Sequence, residues 1–181
     1  GVMLTHYNIA NDGYWTGANM NYDSDDRLCL TVPLFHCFGC VLAVMACINH
    51  CVTMVVCEVF DPIKVLTSLE TERCTSLYGV PTMFISIMEH KLFSKFDLSS
   101  LRTGIMAGSP CPIKTMQEVV EKMNMKEITI VYGLTEASPG MTQTTWDEPS
   151  LEKKCSTVGK HFQGIDTQII DTDTGEICPP G

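Results

Sequence analysis

Between residues 28 and 132, short apolar runs alternate with longer stretches whose apolar positions recur at helical spacing. The runs at 28–32, 53–59, 75–80, 103–107 and 128–132 read as strands. The stretches between them read as helices. One covers 38–49. A second is opened by Asp61-Pro62, an N-cap followed by proline at the first helical position, and turns Ile63, Val65, Leu66 and Leu69 to one face. A third covers 82–90, because Val80-Pro81 stops the preceding strand and proline can open a helix. The fourth begins at Pro112 and aligns Ile113, Met116, Val119, Val120 and Met123. This repetition predicts an α/β fold, a mostly parallel sheet flanked by helices in β-α-β units.

After Pro149 the texture changes. Residues 157–171 and 175–178 read as twisted strands around the turn signal Asp171-Thr172-Asp173-Thr174-Gly175. The chain is therefore expected to divide into an α/β part, residues 1–149, and the beginning of an antiparallel, β-rich subdomain, residues 150–181. Both ends read as cut: Gly1 is no initiator Met, and Cys178-Pro179-Pro180-Gly181 follows directly on a strand.

Composition narrows the function classes. A hydrophobic fraction of 45 % over 181 residues suits one folded domain with a sizeable core. The formal net charge of -9, with no dense Lys/Arg run, disfavours nucleic-acid binding. The most apolar window, 37–59, is broken by Asn49, His50, Thr53 and Glu58, which disfavours a transmembrane segment. The first residues lack the basic region and long apolar stretch of a signal peptide. Of the 10 cysteines, Cys29, Cys47, Cys57, Cys74 and Cys178 lie within apolar runs and read as buried free thiols of a reducing, cytoplasmic compartment. Cys37-Phe38-Gly39-Cys40 has redox-motif spacing without the surrounding pattern of a thioredoxin site. Cys47 and Cys51, with His50, have no second ligand pair at zinc-finger spacing, and the two cysteines read as buried thiols.

Candidate chemistry collects where strands end, which is where parallel sheets bind ligands. The first strand is followed by Pro33-Leu34-Phe35-His36-Cys37-Phe38-Gly39, the fourth by Ala107-Gly108-Ser109-Pro110, and the fifth by Tyr132-Gly133-Leu134-Thr135-Glu136. Gly108 and Gly133 permit close backbone approach, Tyr132 offers a flat face for stacking, and Thr135 a hydroxyl for a phosphate oxygen. Glu136 is an oxygen ligand of the kind Mg²⁺ takes beside phosphates. Singly, each has a bland reading as a turn, a core edge or a helix cap. If the strands are parallel neighbours all three clusters fall on one rim, where together they are more specific than singly and compatible with a nucleotide.

Tyr132-Gly133-Leu134-Thr135-Glu136 resembles the signature of the adenylate-forming (AMP-binding) superfamily, which contains acyl-CoA synthetases, luciferases and peptide-synthetase adenylation domains. Pro33-Leu34-Phe35-His36 resembles another of its core motifs, and Ala107-Gly108-Ser109-Pro110 its adenine-binding turn. Gly1-Val2-Met3-Leu4-Thr5-His6-Tyr7-Asn8 is similar to the segment just after its phosphate-binding loop. Thr157-Val158-Gly159-Lys160 and Thr174-Gly175-Glu176-Ile177 fit later segments, so the resemblance runs in order along essentially the whole chain.

The resemblance implies an internal piece of the N-terminal domain of a fatty-acid–CoA-ligase-like protein. It assigns the α-phosphate to Thr135, the metal to Glu136, stacking on adenine to Tyr132, the base pocket to Gly108, Ser109 and Pro110, and the boundary between acyl pocket and thiol channel to His36. Gly133 belongs to the same nucleotide set, and His6 to a supporting position. ATP, Mg²⁺ and CoA are the implied cofactors and co-substrates, and a carboxylic acid the substrate. The family's phosphate loop falls before Gly1, and the acidic residue that grips ribose and the C-terminal domain with its catalytic lysine fall after Gly181. Residues 1–181 alone are accordingly expected to bind ATP poorly and to form no adenylate. At the chain end, Pro179-Pro180-Gly181 departs from the family pattern, in which a basic residue precedes the final glycine.

Two alternatives stand beside this reading. An amino-acid-activating domain needs a buried acidic residue to hold the substrate ammonium. The pocket-like stretch Ser138-Pro139-Gly140-Met141-Thr142-Gln143 has none, which favours a fatty or aryl acid. A non-catalytic nucleotide-binding module would have no use for a metal ligand such as Glu136. A dinucleotide oxidoreductase ranks behind both, since no Gly-x-Gly-x-x-Gly follows a strand.

Overall fold

The computed structural model describes residues 1–179. Pro180 and Gly181, where the sequence departs from the family pattern, lie outside the described residues. A seven-stranded sheet runs in the order β2-β1-β3-β4-β5-β6-β7. Its strands are β1 (Arg27–Leu30), β2 (Thr53–Val56), β3 (Ser76–Gly79), β4 (Thr103–Ala107), β5 (Glu127–Gly133), β6 (Gly140–Gln143) and β7 (Lys160–His161). The first five are parallel neighbours; β6 and β7 join antiparallel to β5 and to each other. The α/β class and the five parallel strands are as the hydrophobic pattern predicts.

Two cores form because alternate residues of each strand point to opposite faces. Cys29, Leu77, Met106, Ile128 and Ile130 face one core with α3 (Pro62–Thr71), α4 (Pro81–Met88) and α5 (Ile113–Lys122). Leu28, Leu30, Tyr78, Ile105 and Val131 face the other, closed by Phe38, Leu42, Ala43, Ala46 and Cys47. Those last residues lie on a π-helical stretch, Phe38–Met45, that runs into α2 (Ala46–His50). The expected single helix over 38–49 is therefore present with its first half widened.

The helix signals act as read. Asp61 Oδ1 accepts the N–H groups of Ile63 and Lys64, both at 3.0 Å, and Pro62 opens α3. In α5 Met116 and Val119 are buried, but Ile113, expected on the apolar face, is 43 % exposed, because it sits in the first turn beyond the edge of the core. Of the five cysteines expected to be buried, Cys29, Cys47 and Cys74 are, whereas Cys57 and Cys178 are half-buried.

Three elements were not legible. Helix α1 (His6–Ala18), capped by Thr5, buries Asp12, Gly13, Thr16 and Gly17 rather than an apolar stripe. It lies so close to its neighbour that a Cβ on Gly13 would stand 2.4 Å from Met45 Cβ, and one on Gly17 2.3 Å from the His50 ring. Its signature is the Gly13–Gly17 spacing, not hydrophobic periodicity. Residues 140–143, read as part of a pocket, form β6; of that stretch Pro139 lines the cavity at the strand ends, while Ser138 and Gln143 line smaller ones elsewhere. Helix α6 (Leu151–Ser156) follows an N-cap at Ser150.

The twisted strands expected over 157–171 and 175–178 are reduced to β7 and one isolated bridge, Ile170–Ile177. The turn between them forms as expected, with Asp171 Oδ1 accepting from the N–H groups of Asp173 and Thr174. Ile169, Ile170 and Ile177 are exposed, so no second layer within the described residues packs these extended segments into a sheet.

Candidate active site

The three strand-end clusters meet at the carboxyl edge of the sheet. A cavity of about 360 Å³ has His36, Cys37 and Phe38 on one wall, Gly108 at its floor, and Thr135 and Glu136 opposite. A second cavity, about 810 Å³, lies beside it between Ser109, Pro110, Tyr132, Thr157 and Gly159. Gly108, Val131 and Gly133 line both, so the two open onto one another across the end of β5. His36, Gly108, Ser109, Pro110, Tyr132, Gly133, Thr135 and Glu136 each line one or both.

Residues 133–140 form a closed loop that carries Thr135 and Glu136. Gly133 pairs with Gly140 at its base, and the Leu134 N–H bonds to the Pro139 carbonyl at 3.0 Å. Within it Thr135–Ala137 makes a single 3₁₀ turn, and Ser138 closes it with a left-handed φ of 95°. Gly133 is required by this closure, because a Cβ there would meet the Pro139 carbonyl oxygen at 1.9 Å. The close approach it permits is thus to its own loop. Gly108 is required for a different reason: its φ of +85° suits glycine at the exit of β4.

On the facing wall His36 Nδ1 accepts the Phe38 N–H at 3.0 Å. In the neutral ring this leaves the proton on Nε2. Cys37 Sγ lies 3.4 Å from Thr135 Oγ1, joining the two walls at the mouth. Sequence reasoning treated Cys37 only as half of a redox-type pair; its contact with Thr135 spans 98 positions and carries no local signal. Tyr132 is 49 % exposed with its ring at the larger cavity. Glu136 is exposed, and among the described residues it forms no ion pair.

Other singled-out residues have structural duties. His50 Nε2 lies 2.9 Å from the Tyr14 carbonyl and its ring stacks on Tyr14, tying α2 to α1. Cys51, expected to be buried, is exposed at a left-handed helix end. His6 lies in the first turn of α1 and lines neither cavity.

A divided cavity at the carboxyl edge of a mostly parallel sheet, walled by Gly108-Ser109-Pro110 and a Thr-Glu turn, lies where α/β sheets bind ligands. The sequence profile of the AMP-binding enzyme family matches residues 1–181, and the chain belongs to that family. It is 47 % identical over 190 residues to the putative acyl-CoA synthetase YngI of Bacillus subtilis (strain 168), an alignment covering all of this chain and 34 % of that one. It is 37 % identical over 189 residues to the mitochondrial medium-chain acyl-CoA ligase ACSF2 of Bos taurus, covering all of this chain and 31 % of that protein. The crystal structure of ATP-bound MatB from Rhodopseudomonas palustris superimposes with a TM-score of 0.84 at 25 % identity, over all of this chain and 35 % of MatB. The chain spans about a third of the length of the relatives it matches.

Proposed function

We propose that residues 1–181 are part of an ATP-dependent acid–thiol ligase that converts a carboxylic acid of the fatty-acid class to its acyl-adenylate and then to its CoA thioester. The observation that carries this is the joined pair of cavities. The smaller is walled by Phe38, Leu42, Val131 and Pro139, apolar surface suited to an acyl chain, and the larger holds the exposed ring of Tyr132 beside Gly108, Ser109 and Pro110. The Thr135–Glu136 turn lines the smaller cavity two residues beyond Gly133, which lines both, and the reacting carboxylate and α-phosphate would meet beside it.

The reaction has two displacements. The carboxylate attacks the α-phosphorus and pyrophosphate leaves; the CoA thiol then attacks the acyl carbon and AMP leaves. The residues here contribute positioning and charge complementarity rather than covalent chemistry. Thr135 Oγ1 bonds a phosphate oxygen, Tyr132 stacks on adenine, and Gly108, Ser109 and Pro110 line the base. His36 separates the acyl chain from the thiol's path, with Nε2–H directed by the bond at Nδ1. Glu136 suits Mg²⁺, which keeps several waters and takes one or two carboxylates beside substrate phosphates. Glu136 is an exposed carboxylate on the cavity wall with no ion-pair partner among the described residues, and it would hold such an ion. Bound there, the ion would neutralise phosphate charge.

Among the residues of the two cavities Glu136 is the sole carboxylate; taken up by a metal beside the phosphates, it would leave no acidic partner for a substrate ammonium, which favours an uncharged acyl group over an amino acid. Residues 1–149 would form the α/β part of the nucleotide-binding domain, and 150–181 the beginning of a β-rich subdomain completed by the rest of the protein. Among the described residues no helix is long and apolar enough to cross a membrane. The free thiols fit a reducing compartment, and we assign the protein to the cytoplasm.

Carboxylate-dependent ATP–pyrophosphate exchange on the full-length protein tests this, with fatty, aryl and amino acids and Glu136→Ala as control. Exchange with fatty acids, reduced about 100-fold or more in the control, is expected. No exchange with any acid from a folded protein overturns the ligase reading and favours a nucleotide-binding module.

A further inference from the structure

Asp12 is 5 % exposed and sits on α1, outside both cavities described above. Its Oδ2 accepts the N–H of Gly140 at 2.8 Å, and its Oδ1 has no partner among the described residues. Gly140 is fitted closely to this contact: a Cβ there would stand 2.6 Å from the Phe162 ring and 3.1 Å from Asp12 Oδ1. Gly140 is also the base of the loop that carries Thr135 and Glu136, opposite Gly133 in the ladder. Among the described residues two side chains from elsewhere in the sequence bond to that loop, Cys37 at Thr135 and Asp12 at Gly140.

Helix α1 is a rigid anchor for such a bond. Gly13 and Gly17 press it against the helical stretch that starts beside His36. Asp12 therefore references the Thr135–Glu136 loop to the same scaffold that carries the opposite wall of the site. A buried carboxylate is an expensive way to satisfy one N–H, since an amide oxygen would do so without a charge. Burial pushes the Asp12 carboxyl up to about 7, with the Gly140 N–H pulling it back. Around it, Tyr7 is the other titratable residue lining the small cavity of about 130 Å³ that Asp12 borders. Gly140 and Thr142 of β6, and Phe162 beyond it, bring no charge.

We propose that Asp12 is a positioning residue for the adenylation site: by holding the Gly140 N–H it sets where Thr135 and Glu136 stand against the phosphates of ATP. This rests on the ligase reading above. The carboxylate gives a charge-assisted bond, stronger and shorter than a neutral one, so the loop is held most firmly when Asp12 is ionised.

The test uses the full-length protein as wild type, Asp12→Ala and Asp12→Asn. Three quantities are read: the KM for ATP in pyrophosphate exchange from about pH 6 to about pH 8, the Kd for ATP by equilibrium dialysis, and amide hydrogen exchange across residues 133–140. Asp12→Ala is expected to raise KM and Kd for ATP about tenfold or more, as small misplacements in a site do, and to speed amide exchange in the loop. Asp12→Asn keeps an acceptor oxygen without a titrating proton. It is expected to restore loop protection and ATP affinity, and to remove the part of the wild-type KM change that crosses neutral pH. An Asp12→Ala protein that melts lower but keeps wild-type KM and loop exchange overturns the proposal. If pyrophosphate exchange is absent while ATP binding falls in Asp12→Ala and recovers in Asp12→Asn, the ligase reading fails and the positioning role stands. If the wild type binds no ATP, both fail.

Discussion

At the amino-terminal end of the parallel strands, Arg102 pairs with both Asp26 and Glu127 and bonds to the carbonyls of Met20 and Asn21. Asp26 is 3 % exposed and also accepts the Thr75 hydroxyl at 2.6 Å. At the carboxyl end of the same strands, Thr135, Glu136, His36 and Tyr132 stand exposed around open cavities, and Glu136 has no ion-pair partner among the described residues. One end satisfies its charges internally. The other leaves donors, acceptors and aromatic surface to be satisfied by something else. Exposed polar groups keep their hydrogen bonds to water and add little to folding stability, so the two ends differ in what satisfies their polar atoms, protein at one and solvent at the other.

Mutations should separate the two ends. The largest stability effect is expected from Arg102→Ala, which strands the buried Asp26 and should cost about 3 kcal/mol in chemical denaturation while leaving the KM for ATP unchanged. A changed KM with unchanged stability would break the division.

Next comes Asp12, which belongs to the site end yet is buried. Its carboxyl, raised from 3.8 to about 7, stays protonated in the native state where the unfolded chain would ionise. The stability this contributes is complete below about pH 4 and is lost as pH rises towards about 7. Asp12→Asn should therefore be more stable than wild type at pH 8, on the order of 2 kcal/mol, with the gain vanishing towards pH 4. Thermal melts across pH read this directly, and a pH-independent difference would remove Asp12 as the titrating group. A site residue that lowers stability at neutral pH would sharpen the contrast with Arg102.

The smallest effect is expected at Tyr132, where Ala substitution removes a half-exposed ring and should raise the KM for ATP about tenfold through lost stacking, with the melting temperature nearly unchanged. A substantial fall in melting temperature would make Tyr132 a packing residue.

The five parallel strands, the cap at Asp61 and the prolines opening α3 and α4 were all readable in the residues, because short apolar runs and backbone restriction leave local traces. So were His36, Gly108, Ser109, Pro110, Tyr132, Gly133, Thr135 and Glu136, whose gathering on one rim follows once the strands are parallel neighbours. Other features left no such trace. Helix α1 packs through Gly13 and Gly17 and presents polar residues inward, so its periodicity is steric rather than hydrophobic. Lys154 is 3 % exposed and donates to the carbonyls of Ile128 and Trp146, yet reads as a surface lysine on a short helix.

Residue types and spacing by themselves determined the fold class, the position of the strand ends and the chemistry offered there, since each depends on neighbours within a few positions. Only the tertiary structure decided that Gly133 is needed by Pro139, that Cys37 touches Thr135, and that Asp12 reaches Gly140 across 128 positions. Those contacts join segments far apart in the chain, and a buried charge takes its energy from what surrounds it in space.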